Sequence, residues 1–401
     1  MRLGQSITAK GPPAVRRHRK VSTLRGPALV TIVVNHPIQY FSPLFDELKR
    51  RNVISSNVVY GSDAGLRSAF DPGFGQEIAW DLDLVGGHPH EFLLNSRRSS
   101  LLARTGSYLK MLRRLARSEV VVVHGYATRE AILAILVCLV LRVPYLLRSD
   151  TSILRLRSHI DVRGWWVWIA SRFSAGALTS GQRNAEVHKS SGVRRIFPAP
   201  FTVDTSRFAK VINPENKRAT KASLGIPPGA FVAIFLGKLT EGKRPQDLAD
   251  AMMLTESRVH AVFIGDGPLM QSLKNHPAQD RMTLLGFRNQ LELPELLSLG
   301  DVIVLPSRYE AWGLAVNEGL AAGLVPVVSE SVGCAPDLVE GVGRVYKTGD
   351  IRALAVAIDA ACSIRKSEQF RTARERFMAE YSMSAAARAY ESAVLELSAS
   401  R

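Results

Sequence analysis

Cysteine is scarce in this 401-residue chain: Cys138, Cys334 and Cys362 stand apart in apolar or helical context, none in CxxC or other ligand spacing. That excludes a disulfide scaffold or a thiolate zinc site and fits a reducing cytoplasm. Long hydrophobic runs are lacking too. The run 131–141 is apolar throughout but bounded by Glu130 and Arg142, and it is too short to span a bilayer, so it reads as a buried helix. Residues 5 to 20 are polar, charged or Pro-containing, which leaves no apolar core for a signal peptide. No internal repeat is visible.

What is present is ordinary globular composition, 46% hydrophobic and 22% charged. The length allows about two or three domains of roughly 150 residues. The formal charge of +16 is unevenly placed: residues 1–200 hold 29 of the 52 Lys and Arg but only 13 of the 36 Asp and Glu, so the first half carries the whole excess. Such asymmetry points to a phosphate-bearing partner, whether membrane lipid, nucleic acid or an anionic substrate, or else to a solvated face with a basic tail. Residues 1–26, with Arg16, Arg17, Arg19 and Lys20 among Gly, Pro and Ser, read as a disordered basic arm.

Short β-branched runs alternate with helical patterns. Strands are expected at 28–35, 53–60, 120–123, 144–147, 176–180 and 194–198, and helices at 42–51, 101–117 and 131–141. Residues 61–87 are polar and glycine-rich, and residues 203–221 are polar and irregular, the best candidate for an interdomain linker. A second series follows, with strands at 231–236, 259–264, 282–285, 301–305 and 325–328 and helices at 246–254 and 314–322. Strand–helix alternation twice over implies an α/β fold of two doubly wound, Rossmann-like domains facing each other across a cleft, with ligands beyond the carboxyl ends of the strands. Trp165, Trp166 and Trp168 cluster beside Arg163, which suits either a lipid interface or, as the preferred reading, a core helix packing its indoles.

The chemistry concentrates in residues 306–328. Glu310 lies on the loop after a strand and Glu318 about one turn into a helix that starts at Gly313. The unpaired amides of Gly313, Leu314 and Ala315 make that helix start an anion site. Lys238 and Lys243 leave one loop after Gly237 and offer compact positive charges to phosphate oxygens. Two carboxylates also suit a hydrolase pair, but a basic loop and a glycine turn beside them call for a phosphorylated ligand. The pair Asp81-x-Asp83 has the spacing with which many sugar transferases hold a divalent ion, yet no further carboxylate cluster joins it to complete an oxygen shell.

The stretch 231–339 resembles the donor half of glycosyltransferase family 4: GKLTEGK for the lysine loop, GDGP for the turn, and PSRYEAWGLAVNEGLAAGLVP for the paired-glutamate segment. HPIQYFSPLFDEL, DPGFG, WDLDL and VDTSRF extend the likeness to a subgroup among bacterial polysaccharide and glycolipid transferases, over about residues 28–395. The resemblance implies the glycosyltransferase-B fold, with a basic arm at 1–26, an acceptor-binding domain at 27–204, a nucleotide-sugar domain at 205–380 and a helix at 381–401 packing back on the first domain. It implies a metal-independent, retaining hexosyl transfer from a UDP- or GDP-sugar, with no cofactor, to a hydroxyl of a glycan or lipid-linked acceptor. A place at the inner face of the cytoplasmic membrane is expected, with contact to anionic lipid and no nucleic acid partner. By position, Lys238 and Lys243 would hold the diphosphate, Glu318 the ribose and Glu310 the transferred sugar. The amides near Gly313 and Leu314 would meet phosphate, and Gly286 and Phe287 would lie near the base.

The sequence departs from the pattern at three places. Lys238 stands where Arg is frequent, Asn317 and Gly319 flank the second glutamate, and Arg148-Ser149-Asp150 stands where many members have a histidine, leaving His124 or Asp150 to serve on the acceptor side. The alternatives are a sugar-nucleotide epimerase or hydrolase of the same fold, or a non-catalytic basic protein that binds membrane or nucleic acid.

Overall fold

Aliphatic strands joined by helices must form parallel sheets, since a parallel partner is reached only by a crossover that packs back on the sheet. The computed structural model describes residues 26–94, 101–150, 162–209, 213–256 and 258–400, so all of the expected basic arm up to residue 25 lies outside the described residues. In chain order the first domain contains β1 (Ala28–Val34), β2 (Ile54–Ser62), a small hairpin of β3 (Ala69–Asp71) and β4 (Gln76–Ile78), then β5 (His90–Leu94), β6 (Val120–His124), β7 (Tyr145–Arg148), β8 (Gly176–Thr179) and β9 (Ile196–Pro198). Seven of these form a sheet in the order β5-β2-β1-β6-β7-β8-β9, parallel throughout. The second domain contains β10 (Phe231–Leu236), β11 (Val259–Ile264), β12 (Met282–Leu284), β13 (Val302–Leu305), β14 (Val325–Ser329) and β15 (Arg344–Tyr346). These pair in the order β12-β11-β10-β13-β14-β15, again all parallel.

Both sheets reverse their winding direction beside their first strand, between β1 and β6 and between β10 and β13. Such a switch point opens a crevice at the carboxyl ends of the strands. Alternation along the strands divides the first domain into two layers. Val30, Ile32, Val34, Val120 and Val122 face the helix Ser42–Arg51 and the C-terminal helix Met383–Ser398. Val33, Val59, Val121 and Val123 face the helices Leu101–Arg117 and Arg129–Leu141. The C-terminal helix thus returns to the first domain, where both carboxylate oxygens of Glu391 accept from Arg51 at 2.8 Å.

Three expectations from the sequence need correction. The segment 61–87 is not featureless, since it folds into the β3–β4 hairpin, and β5 follows it at the sheet edge. The region 203–221 contains the helices Thr205–Phe208 and Pro214–Ser223; the second buries no residue, so no apolar period marks it. Finally, Trp165 is 64% exposed and Trp168 41% exposed on the helix Val162–Arg172. Only Trp166 turns inward, its indole N–H donating to the Tyr126 carbonyl at 2.6 Å.

Gly319 has a packing reason. The helix Leu314–Ala321 lies on β13 so closely that a Cβ at 319 would sit 2.6 Å from Cγ2 of the buried Ile303. Gly319→Ala should therefore destabilise by about 1–3 kcal/mol through overpacking, although alanine gains about 1 kcal/mol of helix propensity. A denaturation midpoint above that of the native chain would refute the packing account.

Candidate active site

Two loops leave the carboxyl ends of β10 and β13 at the switch point, and glycines let them approach. A Cβ on Gly265, after β11, would fall 1.9 Å from the Gly237 carbonyl oxygen, and Gly265 adopts φ 141°. The loop carrying Lys238 therefore lies against the loop after β11, and Gly265 donates to the Gly286 carbonyl at 2.8 Å. On the other side, Gly313 has φ 101°, in the left-handed region that favours glycine, and opens the helix Leu314–Ala321 without a side-chain cap. Gly313, Leu314 and Ala315 line the cleft, so this capless helix start, with its partial positive charge, opens on it.

The cleft has a volume of about 510 Å³ and is lined from both domains. Of the residues singled out from the sequence, Gly237, Lys238, Lys243, Phe287, Glu310, Gly313, Leu314, Glu318 and Asp150 line it. Gly286 sits directly behind, at the turn that presents Phe287. His124 does not line it. On β6 it shares a face with Val120 and Val122, so its ring is buried against Phe41 and Phe45 and its Nε2 lies 3.3 Å from the Tyr390 hydroxyl. Burial, aided by the nearby Arg148 charge, pushes its pKa down to about 3. Asp150 is the better placed of the two: it lines the cleft, and its Oδ1 is buried without a hydrogen-bond partner among the described residues. Burial raises its pKa against the opposing charge of Arg148.

Each lysine faces a carboxylate. Lys243 forms an ion pair with Glu310. The backbone of Glu310 is fixed by its N–H to the Ser331 carbonyl and by its own carbonyl, which accepts from Gly333. Lys238 donates to both oxygens of Asp71 at 2.8 Å. Asp71 escaped the sequence reading because its partner lies 167 positions away, although its DPGFG turn stood out. Glu318 is 3% exposed, and burial pushes its carboxyl up to about 8, with Arg207 opposing. Burial of the Tyr40 ring, with the Glu318 carboxyl beside it as a lesser cause, raises the Tyr40 hydroxyl well above the usual range. Next to it, Asn317 links the domains: its Oδ1 accepts from the Trp312 indole at 2.8 Å and its Nδ2 donates to the Phe201 carbonyl at 3.0 Å.

Asp81 and Asp83 are occupied by backbone. Asp81 accepts from the Leu291 amide at 3.0 Å, and Asp83 accepts from Val85 at 3.1 Å and from Gly86 at 2.8 Å. They work as turn and interdomain contacts in this structure.

Residues 216–376 match the family described as glycosyl transferases group 1. This segment is a group 1 glycosyl transferase domain. It contains both lysines and both glutamates of the cleft. The UDP-Gal:alpha-D-GlcNAc-diphosphoundecaprenol alpha-1,3-galactosyltransferase of Escherichia coli is 26% identical over 250 residues, covering 58% of this chain and 64% of that one. The N-acetyl-alpha-D-glucosaminyl L-malate synthase of Bacillus anthracis is 31% identical over 157 residues, 37% of this chain and 40% of its own. The match thus spans less than two thirds of either relative. Among solved structures, Anabaena HepE in complex with UDP and glucose superposes with a TM-score of 0.68 at 16% identity, covering 92% of this chain and 100% of that one. The group 1 domain and the domain before it together form the glycosyltransferase-B architecture.

Proposed function

We propose that the chain is a retaining glycosyltransferase that moves a hexosyl group from a nucleoside-diphosphate sugar to a hydroxyl of a glycan or lipid-linked acceptor, in polysaccharide or glycolipid synthesis. The observation that carries this reading is the convergence of Lys238, Lys243, the helix start at Gly313 and the buried Glu318 on one cleft. Two ammonium groups and a helix start suit a diphosphate, and a buried carboxylate suits the paired hydroxyls of a ribose. As the sugar–phosphate bond breaks, the leaving diphosphate gains negative charge, and these fixed groups stabilise it more than they stabilise the bound donor. Glu310 receives hydroxyls of the transferred sugar. The departing phosphate takes the acceptor's proton, so the reaction needs no side-chain base and no metal. UDP is the first donor nucleotide to test, because HepE was solved with UDP and the Escherichia coli relative is named for UDP-Gal.

Asp150 is assigned to orienting the acceptor hydroxyl. Asp150→Ala should lower kcat roughly 5- to 150-fold, the effect of losing one hydrogen bond at a buried site, while nucleoside diphosphate affinity is kept. Unchanged turnover would remove Asp150 from the site. The reaction itself is tested by incubating protein, candidate nucleotide sugar and acceptor in excess chelator. A transferred sugar with its anomeric configuration kept is expected, whereas hydrolysis or epimerisation without an acceptor, or strict metal dependence, would overturn the proposal.

We assign the acceptor side to an anionic membrane surface, on the cytoplasmic side. Among the described residues no helix is long and apolar enough to cross a membrane. The helix Val162–Arg172 nevertheless exposes Trp165 and Trp168, with Phe173 just after it, and the helix Arg129–Leu141, which packs on the basic helix Leu101–Arg117, exposes Val140, a combination suited to a lipid interface. Replacing Trp165 and Trp168 together by Ala should weaken binding to vesicles containing anionic lipid by at least about tenfold. Equal binding of both proteins would place the contact elsewhere.

A further inference from the structure

The hairpin that the sequence left as a polar segment reaches across the cleft. Asp71 accepts from the amides of Gly73 and Phe74 at 2.8 and 3.3 Å, which closes the Asp71–Gly75 turn and sets Phe74 at its tip. Three contacts hold this tip and the strand after it on the group 1 domain. Lys238 pairs with Asp71, Asn289 donates to the Ala79 carbonyl at 2.7 Å, and the Leu291 amide donates to Asp81. The approach is close enough that a Cβ on Gly73 would lie 2.5 Å from Cδ of Lys238.

The result is an aromatic corner built from two domains. The Phe74 ring meets the Phe287 ring edge-on at 5.0 Å, and Trp80 meets Phe287 at 6.3 Å. The Lys238 ammonium sits 5.0 Å from the Phe74 ring centre. Rings that serve only as interdomain glue would be shut in the core, whereas these three stay partly exposed and line the open cleft. They also lie at the Lys238 end, beside Gly237 and Gly265, with Glu310 and Glu318 on the other strand's loop and helix.

We propose that Phe74 and Trp80, from the first domain, form with Phe287 the surface on which the donor's nucleobase packs, so that nucleotide recognition is shared between the domains. The inference rests on the reading of the cleft as a nucleotide-sugar site. A π-face beside a positive charge attracts a planar base whatever its edge, and an aromatic contact of this kind is felt in affinity when it is truncated. Lys238 joins the two parts of the site, since its ammonium meets the Phe74 ring and is also assigned to the diphosphate.

The test compares ligands with and without a base on the full chain. For Phe74→Ala, the affinity for UDP or GDP measured by calorimetry should fall roughly 5- to 100-fold, with inorganic pyrophosphate affinity falling clearly less. Phe74→Leu, which keeps apolar bulk, should remain weakened. The nucleoside diphosphate should also quench a component of tryptophan fluorescence that is missing in Trp80→Phe, and pyrophosphate should not. Equal nucleotide affinity in Phe74→Ala and the native protein, or equal losses for nucleotide and pyrophosphate, would overturn the proposal. If Glu318→Ala meanwhile abolishes nucleotide binding, the donor-site reading survives that failure; if the native protein binds no nucleoside diphosphate, both fall together.

Discussion

Glu318→Gln is expected to make the free protein more stable at pH 8 while removing its response to nucleoside diphosphates. The side chain is buried in the helix Leu314–Ala321 and its carboxyl is pushed from 4.5 to about 8 by desolvation. Between these values the unfolded chain has an ionised glutamate and the folded chain a protonated one. The folded state then binds more protons, so stability falls as pH rises, by roughly 1.4 kcal/mol per pH unit, and the decline ends near pH 8. Gln carries no such slope. The difference in stability between variant and native chain should therefore grow from about pH 5 to about pH 8 and then level. Ligand binding carries the opposite requirement, because accepting two ribose hydroxyls needs the ionised form. Nucleoside diphosphate affinity of the native protein should rise with pH up to about 8, with proton release visible as a buffer-dependent binding enthalpy. Thermal melts across pH, with and without UDP or GDP, read both effects. A flat affinity between pH 6 and 8 would remove Glu318 from the ribose site, and a pH-independent stability difference would mean that the carboxyl is ionised in the free protein.

The second domain, with the lysines and glutamates of the cleft, was legible because its signals are local. Strand, glycine turn and helix start follow one another within 30 residues, and parallel-sheet topology puts every such loop at the same end. What was not legible depended on distant partners. Asp71 acquires its role from Lys238, and Asn317, an oddity in the sequence, is explained only by the Trp312 indole and the Phe201 carbonyl it joins. The hairpin strands are three residues each, too short for an alternating pattern to register. His124 was misjudged for a different reason. Its place at a strand's carboxyl end suggested the cleft, but the period of two along Val120–His124 already aligned it with Val120 and Val122, toward the layer that the C-terminal helix covers. The tryptophans show the complementary limit: spacing of three puts Trp165 and Trp168 on one helix face, but only the packed fold determines whether that face is inside.

Lys243→Ala is expected to cost the enzyme about 10²- to 10³-fold in kcat/KM, the scale of removing one fixed donor to a developing anion. The structure adds a reason for a loss at the upper end. In the structure the ammonium pairs with Glu310, and the Arg308 amide donates to the Gly242 carbonyl at 2.9 Å, so the two loops are tied together. Without Lys243, the Glu310 carboxylate stays beside the phosphate site with nothing to balance it, and repulsion is added to the lost attraction. Glu310→Gln alone should behave differently under the proposed assignment of Glu310 to the sugar: UDP or GDP binds about as before, while turnover of the nucleotide sugar falls. In the Lys243→Ala background, Glu310→Gln should restore part of the nucleotide affinity, giving a coupling between the two positions that a pair of independent contacts would not show. Measuring nucleoside diphosphate affinity and kcat/KM for the four proteins of this cycle separates the roles. Additive effects on affinity would mean that the Lys243–Glu310 pair has no bearing on the diphosphate, and an unaltered kcat/KM in Lys243→Ala would take the lysine out of the proposed donor site.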